Sequence, residues 1–272
     1  MILLIDIGNQ RIKWGFLLEN GFHFLGACHY KQEQDLPSLL SQHFSGVPRP
    51  QEIYIASVAS RDFTQQVSAC LSAKWRIPVQ QLGVQALPEL EIAYTEPAQF
   101  GVDRWLALLG AMEEQAENCL VVDCGTCVSF DAISARGVHQ GGLLLPGLQL
   151  MRASILQGTA RCVVDASASV SDNQPSLLGS NTRDGIERGT LFALLATISQ
   201  LKNELSQEFN HEFTVFLTGG DAALLLPFIE IPVLYRPYLV FEGMVHLLGK
   251  KKKSKFTLIN SSLTFELNTD CE

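Results

Sequence analysis

The chain is 272 residues long, with 47% hydrophobic and 18% charged residues, a composition that predicts a folded protein with buried cores and argues against intrinsic disorder. At roughly 150 residues per domain, this length favours two compact halves. Twenty basic residues against 28 acidic ones give a net charge of −8, which argues against a general nucleic-acid-binding protein because such proteins carry a basic face.

The first half of the chain reads as alternating strands and helices. An apolar run predicts a strand over residues 1–5 that stops at Asp6, and a second strand follows over residues 11–18. The Asn20-Gly21 pair that comes next is typical of a tight β-hairpin. Beyond it, the pattern predicts a strand over 52–58 and helices over 62–74 and 102–117.

The second half begins by repeating this pattern. Strands are predicted over 119–122 and 128–133, and the turn Asp123 to Thr126 between them stands where the first half has Asp6 to Asn9. We therefore interpret the chain as a duplicated α/β fold with two units, residues 1–117 and 118–249. The later elements are a helix over 190–208, a strand over 214–217, a helix over 239–248 and a basic, polar tail at 250–272 that we expect to be loosely ordered.

Three glycine-containing turns follow predicted strands, and they are Asp6-Ile7-Gly8-Asn9, Asp123-Cys124-Gly125-Thr126 and Thr218-Gly219-Gly220-Asp221. Ligands of open α/β sheets bind at the carboxyl ends of strands, where glycine lets a backbone N–H approach a phosphate closely. A carboxylate there can hold a cation that neutralises phosphate charge. Turns that face each other across a cleft would clamp the phosphates of a nucleotide, although each turn alone also fits an ordinary tight turn. Neither GxxxxGK[ST] nor GxGxxG occurs in the chain.

The sequence contains no run of about 18 apolar residues of the kind that a membrane span requires, and Asp6 stands too early for a signal peptide. Its seven cysteines include Cys124 and Cys127, but no second pair or nearby His completes a zinc site. Ordinary thiols in a reducing cytoplasm are therefore favoured over a metal site or a redox pair. We expect a cytoplasmic protein that binds neither membranes nor nucleic acid.

Seven short segments follow one another in the order found in a known family: Asp6 to Asn9 with Lys13; Gly101 to Arg104; Val122 to Thr126; Gly142 to Gly147; Asn181-Thr182 with Gly185, Ile186 and Gly189; Thr218 to Gly220; and Leu239 to Gly243. This set resembles the acetate kinase/Hsp70/actin type of ATPase, and within it the type III pantothenate kinases. The resemblance spans roughly residues 1–248. It implies two RNase-H-like domains, with mixed sheets flanked by helices and the nucleotide in the cleft between them.

The same resemblance implies ATP-dependent phosphorylation of pantothenate to 4'-phosphopantothenate, the first step of coenzyme A biosynthesis. ATP would be bound by Asp6, Ile7, Gly8, Asn9, Gln10, Arg11, Ile12, Lys13 and Thr126. Pantothenate would be bound by Tyr94, Gly101, Val102, Asp103, Arg104 and Thr182, with Asp103 as the proton acceptor. Asp123 would hold a monovalent cation, K⁺ or NH₄⁺. Two chains would form a homodimer with the pantothenate sites near its interface.

The residue types agree with these implied roles. Phosphoryl transfer to an alcohol requires positioning, charge neutralisation and an acceptor for the hydroxyl proton. Asp103 begins a predicted helix whose dipole favours an ionised carboxylate, and Arg104 offers a planar fork that fits the carboxylate of pantothenate. On sequence alone, a helix cap for Asp103 and a surface ion pair for Arg104 are equally good interpretations. We also expect Mg²⁺ dependence, with Asp6 as a ligand directly or through water, because phosphoryl charge must be neutralised.

Two other functions fit parts of the sequence. Gln10 stands where the family usually has Thr or Ser, and together with the lysine-rich tail it favours a non-catalytic relative, similar to the Bvg accessory factors associated with transcriptional activation. The other alternative is a different small-molecule kinase on the same fold. The joint presence of Asp6, Asp103, Asp123 and Thr126 favours the enzyme, because a protein that only binds needs no general base.

Overall fold

The computed structural model describes residues 1–30, 35–114, 117–158 and 178–249, so the predicted tail lies outside the described residues. The described part of the chain forms ten β-strands and seven α-helices in this order: β1 (Ile2–Ile7), β2 (Arg11–Leu18), β3 (Gly21–His29), α1 (Leu36–Phe44), β4 (Glu52–Ser57), α2 (Arg61–Trp75), β5 (Val79–Gln81), α3 (Val102–Glu114), β6 (Cys119–Cys124), β7 (Cys127–Ile133), β8 (His139–Pro146), α4 (Leu148–Gly158), α5 (Thr182–Glu208), β9 (Thr214–Thr218), α6 (Ala222–Leu225), β10 (Val233–Tyr235) and α7 (Leu239–Leu247). Among the described helices, none is both long and apolar enough to cross a membrane.

The strands form two five-stranded sheets with the same topology. The first sheet has the order β3-β2-β1-β4-β5, and the second has the matching order β8-β7-β6-β9-β10. In each sheet the first three strands in the chain are antiparallel neighbours, and the last two run parallel to the central strand. This repeated topology confirms the predicted duplicated α/β fold.

The two central strands carry acidic residues at equivalent positions. All six residues of β1 are buried because neighbouring strands flank it on both sides and helices cover both faces of the sheet, which explains its nearly continuous apolar sequence. Asp6, the fifth residue of β1, is buried but is not apolar. Asp123 occupies the same fifth position in β6. The duplication therefore places one carboxylate near the carboxyl end of each central strand.

Helices and sheets alternate through the molecule as layers. Helices α1 and α2 pack on the outer face of the first sheet, where Phe44 and Val67 join its core. Helices α5 and α6 cover the second sheet, with Leu194 and Ile198 as buried contacts. Helices α3 and α7 share one core with residues of both sheets, so they lie between the sheets and join the two halves.

Glycines allow α3 and α7 to approach each other closely. A Cβ atom built on Gly243 would overlap the backbone carbonyl of Leu106, and one built on Gly110 would lie 2.5 Å from the carbonyl oxygen of Leu239. Neither contact tolerates a side chain, because real Cβ atoms do not approach other heavy atoms so closely. The two halves are therefore joined by direct backbone packing of one helix against the other.

Helix α5 begins eight residues before its predicted start at residue 190. Asn181 caps it, since the Asn181 side chain accepts a hydrogen bond from the backbone N–H of Asp184. Gly185 and Gly189 lie in the first two turns, where their low helix propensity hides the helical pattern. The other predicted elements agree with the structure, apart from their end residues; the strand predicted over 1–5 extends to Ile7 and so includes Asp6.

Candidate active site

A cleft of about 360 Å³ opens between the two halves of the protein. It is lined by residues from the carboxyl ends of β1 and β6 and from the start of α3. Four carboxylates, those of Asp6, Asp103, Asp123 and Asp221, line it together with the cationic side chains of Arg11, Lys13 and Arg104. The cleft therefore gathers the acidic residues that the sequence analysis singled out separately.

Two equivalent glycine turns border the cleft. The Gly8 N–H donates to the carbonyl oxygen of Arg11 at 3.0 Å, and the Gly125 N–H donates to that of Cys127 at 3.1 Å. Both glycine amides thus close their own turns, whereas the sequence analysis expected them to approach a phosphate. Donors to a phosphate would come from the neighbouring residues that line the cleft, namely Asn9, Gln10, Arg11 and Thr126.

The third glycine turn follows β9 and closes the same cleft. Gly219 has a φ of +95°, a conformation that favours glycine, and a Cβ atom there would lie 2.5 Å from Oδ1 of Asp123. A Cβ atom on Gly220 would lie 2.9 Å from Nη1 of Arg11, which belongs to the other half. Glycine is required at position 219 because the ends of two strands meet there, whereas at position 220 only the end of the Arg11 side chain lies close.

Lys13 provides positive charge next to two of the carboxylates. It is the cross-strand neighbour of Asp6, and its Nζ lies 3.4 Å from Oδ2 of Asp6. Burial alone lowers the pKa of Lys13, but the carboxylates of Asp6 and Asp123 more than offset this and raise it above its ordinary value. The ammonium group therefore remains charged in the cleft.

Asp123 has more negative charge around it than Lys13 neutralises. Burial is the largest cause that raises the pKa of Asp123; Lys13 lowers it, and the carboxylates of Asp6 and Asp131 raise it further. A cation beside Asp123 would remove this unfavourable energy, so the side chains present fit a cation site. Within the described residues, no three or more His, Cys, Asp or Glu side chains form a metal-binding cluster.

Asp103 lies in the first turn of α3 and faces the cleft. Its Oδ1 accepts the backbone N–H of Arg104 at 2.8 Å, and a Cβ atom on Gly101 would lie 2.6 Å from the same oxygen. Burial, followed by the charges of Asp123 and Asp6, raises the pKa of Asp103 to about 7. The helix N-terminus therefore does not keep this carboxylate fully ionised at neutral pH, because desolvation outweighs the N-terminal hydrogen bond.

Arg104 is held by an ion pair that joins the two halves. Its Nε donates to Oδ2 of Asp131 at 2.8 Å, and its Nη2 donates to Oδ1 at 2.6 Å. Its Nη1 donates to the hydroxyl of Tyr94 at 3.0 Å. The planar fork predicted to bind pantothenate is thus occupied along one edge by Asp131, and the ion pair is buried rather than on the surface.

Asp131 and His139 were missed by the sequence analysis. Asp131 stands in β7 among apolar residues, and His139, at the start of β8, lies 3.0 Å from it. A single acidic residue inside an apolar strand was the available signal, since a buried carboxylate requires a partner.

The remaining predicted site residues fall into two groups. The side chains of Ile7, Ile12 and Val102 are buried in the cores, so only their backbones could contact a ligand. Thr182 does not line the cleft; it lines a groove between α4 and α5, together with Met151, Ser154 and Thr190. The other predicted site residues line the cleft, except Tyr94, which is connected to it through its hydrogen bond with Arg104.

Two sheets of one topology with a ligand-sized cleft between them define an α/β protein with a duplicated RNase-H-like fold. A Campylobacter jejuni protein assigned to the Baf family of transcriptional activators shares this fold, with a TM-score of 0.55 at 20% identity over 91% of this chain and 97% of that one.

Sequence comparison identifies the family. The profile of the type III pantothenate kinases matches residues 2–204. The type III pantothenate kinase of Dichelobacter nodosus is 34% identical over 258 residues, which cover 93% of this chain and 100% of that protein. The type III pantothenate kinase of Ectopseudomonas mendocina is 35% identical over 248 residues, which cover 90% of this chain and 97% of that protein. The chain belongs to the type III pantothenate kinase family.

We predict that Asp103→Asn stabilises the ligand-free protein at neutral and alkaline pH. The folded-state pKa of about 7 lies above the ordinary value of 3.8 for an aspartate, so wild-type stability falls as pH rises from about 4 to 7, because the carboxylate ionises more readily in the unfolded chain than in the folded protein. Thermal unfolding of both proteins should give similar midpoints at pH 4 and a higher midpoint for the variant at pH 8. Glu19→Gln, which removes one charge from an exposed turn, controls for net charge; a variant no more stable than wild type at pH 8 would contradict the assignment.

Proposed function

We propose that this protein transfers the γ-phosphoryl group of ATP to the primary hydroxyl of pantothenate, giving 4'-phosphopantothenate and ADP at the start of coenzyme A biosynthesis. The observation that carries the proposal is the position of Asp103 in a cleft that also contains three further carboxylates, three cationic side chains and three glycine turns. Membership of a kinase family supports the same reaction. We place the reaction in the cytoplasm, where ATP is available.

ATP would bind across the cleft with its phosphates between the turns at Gly8 and Gly125. Lys13 and Arg11 supply positive charge from the first half, and Thr126 supplies a hydroxyl donor from the second. Gln10 also lines the cleft, and its amide NH₂ can donate where a hydroxyl is usual in the family. The turn at Gly219 and Gly220 narrows the cleft from the side of Arg11.

Asp103 would accept the hydroxyl proton of pantothenate as the new O–P bond forms. A pKa of about 7 suits this role, because such a group is partly ionised at neutral pH and still basic enough to take a proton. Arg104, the next residue in the chain, would bind the carboxylate at the other end of pantothenate, with Tyr94 beside it.

The carboxylates of the central strands would hold the cations. Asp6 would approach Mg²⁺, directly or through water, and Asp123 would bind K⁺ or NH₄⁺. When bound, these ions neutralise charge on the phosphates of ATP. The raised pKa of Asp123 supports the assignment, because its burial and its neighbours disfavour a bare carboxylate there.

We predict that Asp103→Asn lowers kcat for pantothenate phosphorylation by about 10²- to 10⁴-fold, the usual contribution of a general base. ADP release should be measured with ATP, Mg²⁺ and K⁺, with and without pantothenate. Asp62→Asn is a matched control, because Asp62 also lies in the first turn of a helix but is exposed and outside the cleft.

The same assay separates the other candidate functions. ATP binding without pantothenate-dependent ADP release would favour a non-catalytic regulator. ADP release with another small alcohol, but not with pantothenate, would favour a different kinase. Either result, or full activity in Asp103→Asn, would contradict the proposal.

We predict that K⁺ or NH₄⁺ raises the rate above that measured in Na⁺ at equal ionic strength. Because Asp123 is the proposed ligand, Asp123→Asn should remove the difference between K⁺ and Na⁺ and lower activity in both. Equal wild-type rates in the two salts would contradict the assignment of Asp123. Substituting Na⁺ at constant ionic strength controls for general screening of charges.

The position of Thr182 supports a homodimer. Thr182 lines the groove between α4 and α5 rather than the cleft of its own chain, so a role in pantothenate binding would require it to reach the site of a second copy. Large apolar side chains on these helices, those of Leu156 and Phe192, are exposed, which is typical of an interaction surface.

We predict a particle of about 60 kDa by light scattering, twice the mass of one 30.0 kDa chain. Phe192→Asp should disrupt the dimer and raise the KM for pantothenate, because it places a charge on the interface. Leu224→Asp, at a similarly exposed position on the short helix α6, should leave the dimer intact. A monodisperse wild-type monomer would overturn the proposed assembly.

A further inference from the structure

A buried polar cluster connects Arg104 of α3 to the second half of the molecule. Asp131 of β7 accepts two hydrogen bonds from the Arg104 guanidinium, at 2.8 and 2.6 Å, and lies 3.0 Å from Nε2 of His139 in β8. Asp131 and His139 are each only 1% exposed, whereas Arg104 is 9% exposed and lines the cleft. The cluster therefore extends from the core to the wall of the proposed pantothenate site.

The hydrogen bonds of His139 define its tautomer. The backbone N–H of Ala93 donates to Nδ1 of His139, at 3.4 Å, so Nδ1 carries no proton. Nε2 therefore carries the ring proton and donates it to Oδ1 of Asp131. Arg104 and His139 thus both donate hydrogen bonds to the Asp131 carboxylate. The bond from His139 fixes the orientation in which this carboxylate meets Arg104.

Aromatic rings and a glycine enclose the Arg104 side chain. Its guanidinium carbon lies 4.5 Å from the centre of the Phe100 ring and 5.6 Å from that of Tyr94. A Cβ atom on Gly142 would overlap Oδ1 of Asp131 and lie 2.7 Å from Nη2 of Arg104. The ion pair thus fills the space that a side chain at position 142 would need, and the guanidinium plane has little room to rotate.

The bonds to Asp131 and Tyr94 leave a defined part of Arg104 for a ligand. A guanidinium has five N–H groups, of which these bonds use the Nε hydrogen, one on Nη2 and one on Nη1. Within the described part of the chain, one hydrogen on Nη1 and one on Nη2 remain without a partner. Although burial alone lowers the pKa of Arg104, its bonds to Asp131 raise it above the ordinary value, so these donors keep their charge.

We infer that Asp131 and His139 are positioning residues that set the selectivity of the site for an acceptor with a carboxylate. Asp131 occupies the Nε–Nη2 edge of Arg104 and fixes the guanidinium plane, so that the Nη1–Nη2 end faces the acceptor carboxylate; His139 fixes Asp131. The inference rests on the proposed function, because it takes the pantothenate carboxylate to be the group that Arg104 binds. Neither residue touches the acceptor or the reacting atoms.

The test compares two acceptors that share the hydroxyl to be phosphorylated. Pantothenate has a carboxylate at its other end, and pantothenol has a hydroxymethyl group there. We expect Asp131→Asn, which retains the shape but loses one acceptor, to lower kcat/KM for pantothenate by about 10- to 100-fold, mainly through KM. The kcat/KM for pantothenol and the KM for ATP should change by less than about threefold. The ratio of kcat/KM for pantothenate to that for pantothenol therefore falls.

Variants of His139 and a matched ion pair separate positioning from stability. His139→Leu should lower the same preference, and His139→Gln should restore most of it, because the Gln amide can donate to Asp131. Glu242→Gln is the control, since Arg236 and Glu242 form another buried, two-bonded ion pair away from the lining of the cleft. Glu242→Gln should lower the temperature midpoint of unfolding without changing the ratio of kcat/KM for pantothenate to kcat/KM for pantothenol.

The outcomes are distinct for the inference and for the proposed function. Asp131→Asn with an unchanged acid preference, or with tighter pantothenate binding, would overturn the inference. The latter would mean that Asp131 only masks the charge of Arg104. If wild type releases no ADP, the proposed function fails, and calorimetric titration of both acceptors into the ATP-bound protein still decides the inference. The inference is overturned if the wild-type protein binds pantothenate no more tightly than pantothenol.

Discussion

Repulsion among the carboxylates that line one cleft, with Asp6, Asp103 and Asp123 among them, is the constraint on which the candidate site depends. Asp6 and Asp123 reach it because duplication gives each half a central strand with an acid at the same position, and Asp103 reaches it from the first turn of α3. Lys13 offsets part of the negative charge, but the pKa values of Asp103 and Asp123 remain raised. Burial and mutual repulsion therefore disfavour the ionised forms of these carboxylates where phosphates and their cations would bind, as is common at active sites.

Much of the fold could be predicted because its signals are local. The apolar run before Asp6 and its repetition before Asp123 predicted both central strands and the duplication, which the matching sheet orders confirm. The placement of α7 could not be predicted. Its sequence is apolar on nearly every side, which is typical of a buried helix, but only tertiary packing decides that it lies between two sheets.

The candidate site could be predicted as positions along the chain but not as chemistry. The glycine turns and Asp103 do line one cleft, yet the elevated pKa of Asp103 arises from burial and from carboxylates distant in sequence. Likewise, the partner of Arg104 comes from the other half, so local sequence indicated the guanidinium without showing that Asp131 already occupies one of its edges. Long-range electrostatics is the part of the site that a pattern of neighbouring residues does not encode.

Helix α7 has a consequence for how the molecule is made. It is the last described element, yet its backbone packs directly against α3, which precedes it by more than a hundred residues. During synthesis, the inner face of the first sheet therefore lacks part of its cover until Leu239–Leu247 has left the ribosome. The first half cannot reach its final packing as an independent unit, and the cleft is completed only when the final helix is in place.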